Sequence, residues 1–189
     1  MNQNTALIRG SLSDVSTREG MSLAESFVGV DVVILLDVSG SMMMQDSRGG
    51  QRRYDVALEE LAQLQQAMPG KLAVIGFADH PEFAPNGKPT FLATGTDLAR
   101  ALKFARMADI AGMRFIVVSD GQPDSEREAL DVAATYQGRI DCVFVGPEHD
   151  QLGQEFLNKL AIAHHGQQVT ADRVQQLAAK IETLLLAAH

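Results

Sequence analysis

The chain has 189 residues, 46% of them apolar, a formal net charge of −8 and a single cysteine. That length fits one domain with room for a substantial core, while the acidic balance argues against a phosphate-backbone binder or an anionic membrane surface. No apolar run approaches the ~18 residues that span a bilayer, and Cys142 alone cannot form an intrachain disulfide, so a reducing compartment is the natural setting.

Residues 1–29 are rich in Ser, Thr, Asn and Gly and lack the basic start and apolar core of a signal peptide. They read as a polar N-terminal arm, with Ala6-Leu7-Ile8 as its one strand seed, ahead of a domain over 30–189. The expected location is cytoplasmic. Val32 to Leu36 is a run of consecutive apolar residues, the signature of a strand buried on both faces. Tyr54 to Met68 carries Val56, Leu58, Leu61, Leu64 and Met68 near helical spacing, and Pro69-Gly70 ends it. Arg52-Arg53 reads as the start of a solvated helix face close to the sheet's edge. Leu72 to Phe77 is a second buried strand. Thr90-Phe91-Leu92-Ala93 reads as a short edge strand after a segment rich in Pro and Gly.

A helix is expected from Asp97 to about Asp109, and a strand over 114–119. Ser125 to Gln137 reads as a helix with Asp124 or Ser125 as N-cap. Ile140 to Val145 is a strand, Gln151 to His164 a helix, Gln167 to Thr170 a short strand, and Ala171 to Leu186 a last helix. Strands alternating with helices imply right-handed crossovers and a mostly parallel sheet. Cys142 falls within a strand and reads as a small core residue.

Chemistry concentrates where the strands end. The first strand leaves as Asp37-Val38-Ser39-Gly40-Ser41, a carboxylate and two hydroxyls spaced two apart. The strand at 114–119 ends in Asp120-Gly121, and Thr94-Gly95-Thr96 is a turn leading into a helix. Carboxyl edges of strands are where open α/β folds bind ligands. Hard oxygens without sulfur or imidazole suit Mg²⁺, Mn²⁺ or Ca²⁺ better than zinc or copper. Each residue also suits a plain structural role, as a turn former or helix cap. Their joint occurrence favours a metal site.

In these segments the sequence resembles the von Willebrand factor A domains. Their metal-ion-dependent adhesion site uses Asp-x-Ser-x-Ser, a distant Thr after a Gly, and a distant Asp at a strand end. Asp37, Ser39, Ser41, Thr96 and Asp120 match these positions in order, although Thr94 stands where the family usually has a Gly. The resemblance covers about residues 30–185. It implies a doubly wound, Rossmann-like α/β fold with a mostly parallel six-stranded sheet, helices on both faces and one short antiparallel edge strand. It also implies that Ser39, Ser41 and Thr96 coordinate Mg²⁺ directly, and that Asp37 and Asp120 act through bound water. The open position then accepts an Asp or Glu carboxylate from a partner protein. Intracellular bacterial relatives often work beside AAA+ ATPases, so such an ATPase or its substrate is the expected partner, and no catalytic role is assigned.

Two other readings stand beside this one. Haloacid-dehalogenase-like phosphatases also place an Asp at a strand end, which would make Asp37 a nucleophile in a Mg²⁺-dependent phosphohydrolase. They carry a second acid two residues on, where this chain has Ser39. The last reading is a scaffold whose metal is structural. No Gly-x-Ser-x-Gly elbow, dinucleotide fingerprint or Walker A loop occurs.

Overall fold

The computed structural model describes residues 7–46, 50–146 and 150–170. The helix expected over 171–186 lies outside them. Six strands form one sheet in the order β3-β2-β1-β4-β5-β6. They are β1 (Val32–Asp37), β2 (Leu72–Phe77), β3 (Pro81–Phe83), β4 (Arg114–Ser119), β5 (Arg139–Phe144) and β6 (Gln168–Thr170). All neighbours are parallel except β2 and β3, where Ile75 faces Phe83 and Phe77 faces Pro81.

β1 is the central strand. Val32 pairs with Leu72 on one side and Arg114 on the other, and all six of its residues are buried. Its side chains alternate between two cores. Val33 and Leu35 join Leu98, Leu102, Ala129, Phe156 and Leu160, from α4 (Leu98–Ala105), α5 (Glu126–Ala133) and α6 (Gln151–Ala163). Val32, Ile34 and Leu36 join Val56, Leu61 and Leu64 of α3 (Arg53–Ala67). Each such leucine or isoleucine contributes about 1.5–3 kcal/mol by leaving water. Cys142 is fully buried in the first core, as its strand position implied.

Three expectations are corrected. The edge strand is Pro81–Phe83, not Thr90–Ala93. Leu92 and Ala93 both direct their N–H groups at the Val38 carbonyl, and Ala93 sits at φ +57°, which bends the chain away from any ladder. Pro81 is tolerated because an edge position leaves its missing donor unneeded.

The second concerns the N-terminal segment: of residues 1–29, read as an arm, the described part from residue 7 contains α1 (Leu12–Glu19) and α2 (Leu23–Val28). Ser11 caps α1 by accepting from the Asp14 N–H, and Ser22 with Glu25 forms a reciprocal capping box on α2. Leu12 is buried in the first core, and the Gly70 N–H donates to the Gly10 carbonyl at 3.0 Å. No strand forms at residues 7 and 8. Third, Arg53 is not solvated; it is 5% exposed at the first turn of α3. Among the described residues no helix is long and apolar enough to cross a membrane.

Candidate functional site

The strand order reverses at β1. From it the chain runs outward to β2 and β3, then crosses back to β4 on the other side. A crevice opens at such a switch point, beyond the carboxyl ends of β1 and β4. Asp37 closes β1 and Asp120 follows β4, so both carboxylates stand at this crevice.

Asp37 is fully buried. One of its oxygens accepts the Ser39 N–H at 2.9 Å, the other the Ser119 hydroxyl at 2.6 Å. Ser119 in turn accepts the Gly121 N–H at 3.0 Å, so one hydroxyl fixes both the acid and the turn after β4. Burial pushes the Asp37 carboxyl up to about 6, the negative charge of Asp120 pushes the same way, and the Ser119 and Ser39 hydrogen bonds oppose them.

Gly40–Met43 forms a 3₁₀ turn that brings the Ser39 and Ser41 hydroxyl oxygens within 3.2 Å of each other. Met42 is fully buried and pins this turn to the α3 core, whereas Met43 and Met44 are 39% and 54% exposed beside it. Thr96 is nearly buried on the loop before α4. That loop is tied to its neighbours on both sides. Gly40 donates its N–H to the Thr94 carbonyl at 3.2 Å, and Asp124 donates to the Thr96 carbonyl at 3.0 Å. The Thr96 N–H is held by the Asp124 carboxylate at 3.0 Å, and the Gly95 N–H by Asp79 at 2.7 Å. A Cβ on Gly95 would stand 2.6 Å from the Asp79 carboxylate and 3.0 Å from that of Asp124, so a side chain there would displace the acids that hold this loop.

The five sequence-selected residues thus come to one edge of the sheet. Four further side chains hold them there and were not read as site residues. Ser119 was readable as the polar end of an otherwise apolar strand. Arg53 falls on the buried stripe of α3 with Ala57, Glu60 and Leu64, a helical spacing visible in the sequence. Asp79 and Asp124 act on backbone N–H groups across loops, for which no sequence signal exists.

The donor set fits a hard cation. Adjacent ligands of an octahedral ion with bonds of about 2.1 Å are roughly 3 Å apart, close to the 3.2 Å between the Ser39 and Ser41 oxygens. Two buried carboxylates that repel each other supply the negative field behind them. Among the described residues no group of three or more His, Cys, Asp or Glu is arranged to hold a metal.

Strand order, crossovers and the position of this crevice define an α/β domain of the von Willebrand factor A architecture. The chain is similar to an aerotolerance-related membrane protein from Bacteroides fragilis, with 18% identity over 84% of this chain and 100% of that one, at a TM-score of 0.67. It is also similar to the vWF domain of the type V pili tip protein Mfa5 from Porphyromonas gingivalis, with 13% identity, 85% and 95% coverage and a TM-score of 0.61. A third likeness is the manganese-loaded TRAP protein of Plasmodium vivax, with 16% identity, 82% and 73% coverage and a TM-score of 0.57. At these identities the likeness is one of fold. No family model matches the sequence, and no curated protein matches it.

Proposed function

We propose that this chain is a metal-dependent protein-recognition module. Mg²⁺, or Mn²⁺ or Ca²⁺ in its place, is held by Ser39, Ser41, Thr96, Asp37 and Asp120. The observation that carries the reading is the paired Ser39 and Ser41 hydroxyls, 3.2 Å apart, beside a buried carboxylate whose oxygens are both already oriented. Bound there, a hard divalent cation supplies an electrophilic position for a carboxylate oxygen.

The chain's own residues do the rest. Neutral hydroxyls leave the cation's charge largely uncompensated, which favours an acidic ligand. Asp37, held by Ser39 and Ser119, orients the donors as second-sphere carboxylates do. Met43 and Met44 flank the position with adaptable apolar surface for a partner. The partner is a protein presenting an Asp or Glu, with an AAA+ ATPase or its substrate as the expected kind, in a cytoplasmic setting. A solved structure of similar fold is manganese-loaded, which supports the choice of metal class.

The phosphohydrolase alternative has less behind it. Asp37 has no exposed surface, both its oxygens accept hydrogen bonds, and Ser39 has no acidic proton for a leaving group. Calorimetry with Mg²⁺ and Mn²⁺ on wild type and Asp37→Ala tests the proposal. Saturable binding lost in the variant, with EDTA-sensitive capture of an acidic partner, is the expected result. Absence of binding at millimolar metal would reject it. Metal-stimulated turnover of a generic phosphate ester, abolished by Asp37→Asn, would favour the enzyme. Metal binding that raises stability without affecting partner capture would favour the scaffold.

A further inference from the structure

Among the described residues, Arg53 is a cation that reaches into this carboxylate-lined edge from within the fold. Its side chain is 6% exposed, and it engages carboxylates from two separate segments. Nε donates to one Asp46 oxygen at 2.7 Å, Nη2 donates to the other, and Nη1 donates to Asp120 at 3.4 Å. Asp46 lies just after the 3₁₀ turn that carries Ser41, and Asp120 lies 67 residues beyond Arg53 in sequence. The backbone fastens the same junction, because the Arg53 N–H donates to the Met44 carbonyl at 3.1 Å.

We infer that Arg53 is the resident counter-charge of the site, neutralising Asp120 when no metal is bound and setting how tightly a divalent cation is held. The physical argument has two halves. A buried carboxylate left beside another buried carboxylate is costly unless a cation is near, and Asp37 and Asp120 are such a pair, at 0% and 5% exposure. The guanidinium therefore keeps the metal-free domain folded. Conversely, a fixed positive charge hydrogen-bonded to Asp120 repels an incoming divalent ion, so metal binds against Arg53 rather than with its help. Asp46 counters that repulsion: its bidentate grip draws the guanidinium toward the half-exposed side of the crevice. The second half of the inference rests on the metal-site reading, while the first does not.

The tests use the full chain. Thermal melting in EDTA is compared for wild type, Arg53→Gln, and Arg53→Gln combined with Asp120→Asn. Arg53→Gln is expected to lower Tm by about 6–12 °C, as the loss of one partner of a buried pair implies. Removing the stranded charge with Asp120→Asn should recover at least half of that loss. A residue that merely packs would show no recovery, and that outcome, or an unchanged Tm, overturns the counter-charge. Calorimetry with Mg²⁺ then reads the second half. Arg53→Gln should bind at least tenfold more tightly than wild type, and Asp46→Asn, which disturbs only the half-exposed partner, severalfold more weakly. Both variants weakening together would mean that Arg53 only braces the loop, and would overturn the affinity-setting role. If wild type binds no metal while the EDTA series behaves as stated, the counter-charge stands and the metal-dependent reading falls.

Discussion

Gly153→Ala sets two opposing effects against each other, and the structure decides the sign. Gly153 is the third residue of α6, and alanine there improves helix propensity by up to about 1 kcal/mol. A Cβ at this position, however, would lie 2.2 Å from the Asp120 carbonyl oxygen and 3.1 Å from the Phe144 ring. Neither neighbour yields easily, since one is backbone and the other is 1% exposed in the core. Relieving the overlap requires α6 and the turn after β4 to separate by roughly 1 Å, an overpacking cost of about 2–3 kcal/mol. The net is a loss of about 1–2 kcal/mol, or about 2–8 °C in Tm for a domain of this size. Because the displaced backbone is that of Asp120, Mg²⁺ affinity should fall as well. Thermal and urea melts beside metal titration measure both. A variant at least as stable as wild type would refute the close approach of α6 to the site and leave helix propensity in charge.

Ser119→Ala removes a 2.6 Å hydrogen bond from a buried carboxylate. It should cost about 1–3 kcal/mol in stability and weaken Mg²⁺ about 10–100-fold, read by melting and calorimetry. Cys142 is fully buried, and burial pushes its thiol well above the ordinary range, with Asp141 adding to the effect. It should therefore resist a disulfide reagent at pH 8 until denaturant is added, and immediate stoichiometric reaction would contradict its place in the core. His164 has its pKa lowered below 6.5 by burial first and by His165 second, against the opposing charge of Asp109. The unfolded chain then binds the proton more readily, so this residue's contribution to stability falls as pH drops through and below 6.5. His164→Gln should flatten that part of a stability–pH profile, and an unchanged slope between pH 5 and 7 would reject the assignment.

The three central strands were legible because each carries consecutive apolar residues with no period, as double-faced burial demands. Leu72–Phe77 and Arg114–Ser119 match the expected spans, and Val32–Asp37 extends its expectation by one residue. The edge strand was misread because β-propensity pointed to Thr90-Phe91-Leu92, while backbone geometry at Ala93 and the hydrogen bonds of Val38 decide the outcome. At the N-terminus the signals were present in Ser11-x-x-Asp14 and Ser22-x-x-Glu25, but sparse apolar residues concealed them. Leu12 and Val15, one helical step apart, supply the face that docks. At the site, side chains that terminate strands could be read from the sequence. Those acting across loops could not: Asp79 and Asp124 hold backbone groups 16 and 28 residues away, a relation that only the folded chain creates.

The central position of β1 also governs when this edge can come into being. A ribosome that has released the chain through residue 110 has delivered Asp37, Ser39, Ser41 and Thr96, together with β2, the first strand able to flank β1. Asp37 still lacks the hydroxyl that orients it, since Ser119 lies 82 residues downstream, and Asp120 is equally absent. Arg53 at that moment has Asp46 but not its second carboxylate. The Ser119 hydroxyl and the Asp120 carboxylate therefore reach this edge only when β4 takes its place beside β1. A chain that stops before β4 would carry Asp37 and Thr96 without the Ser119 hydroxyl and the Asp124 carboxylate that fix them.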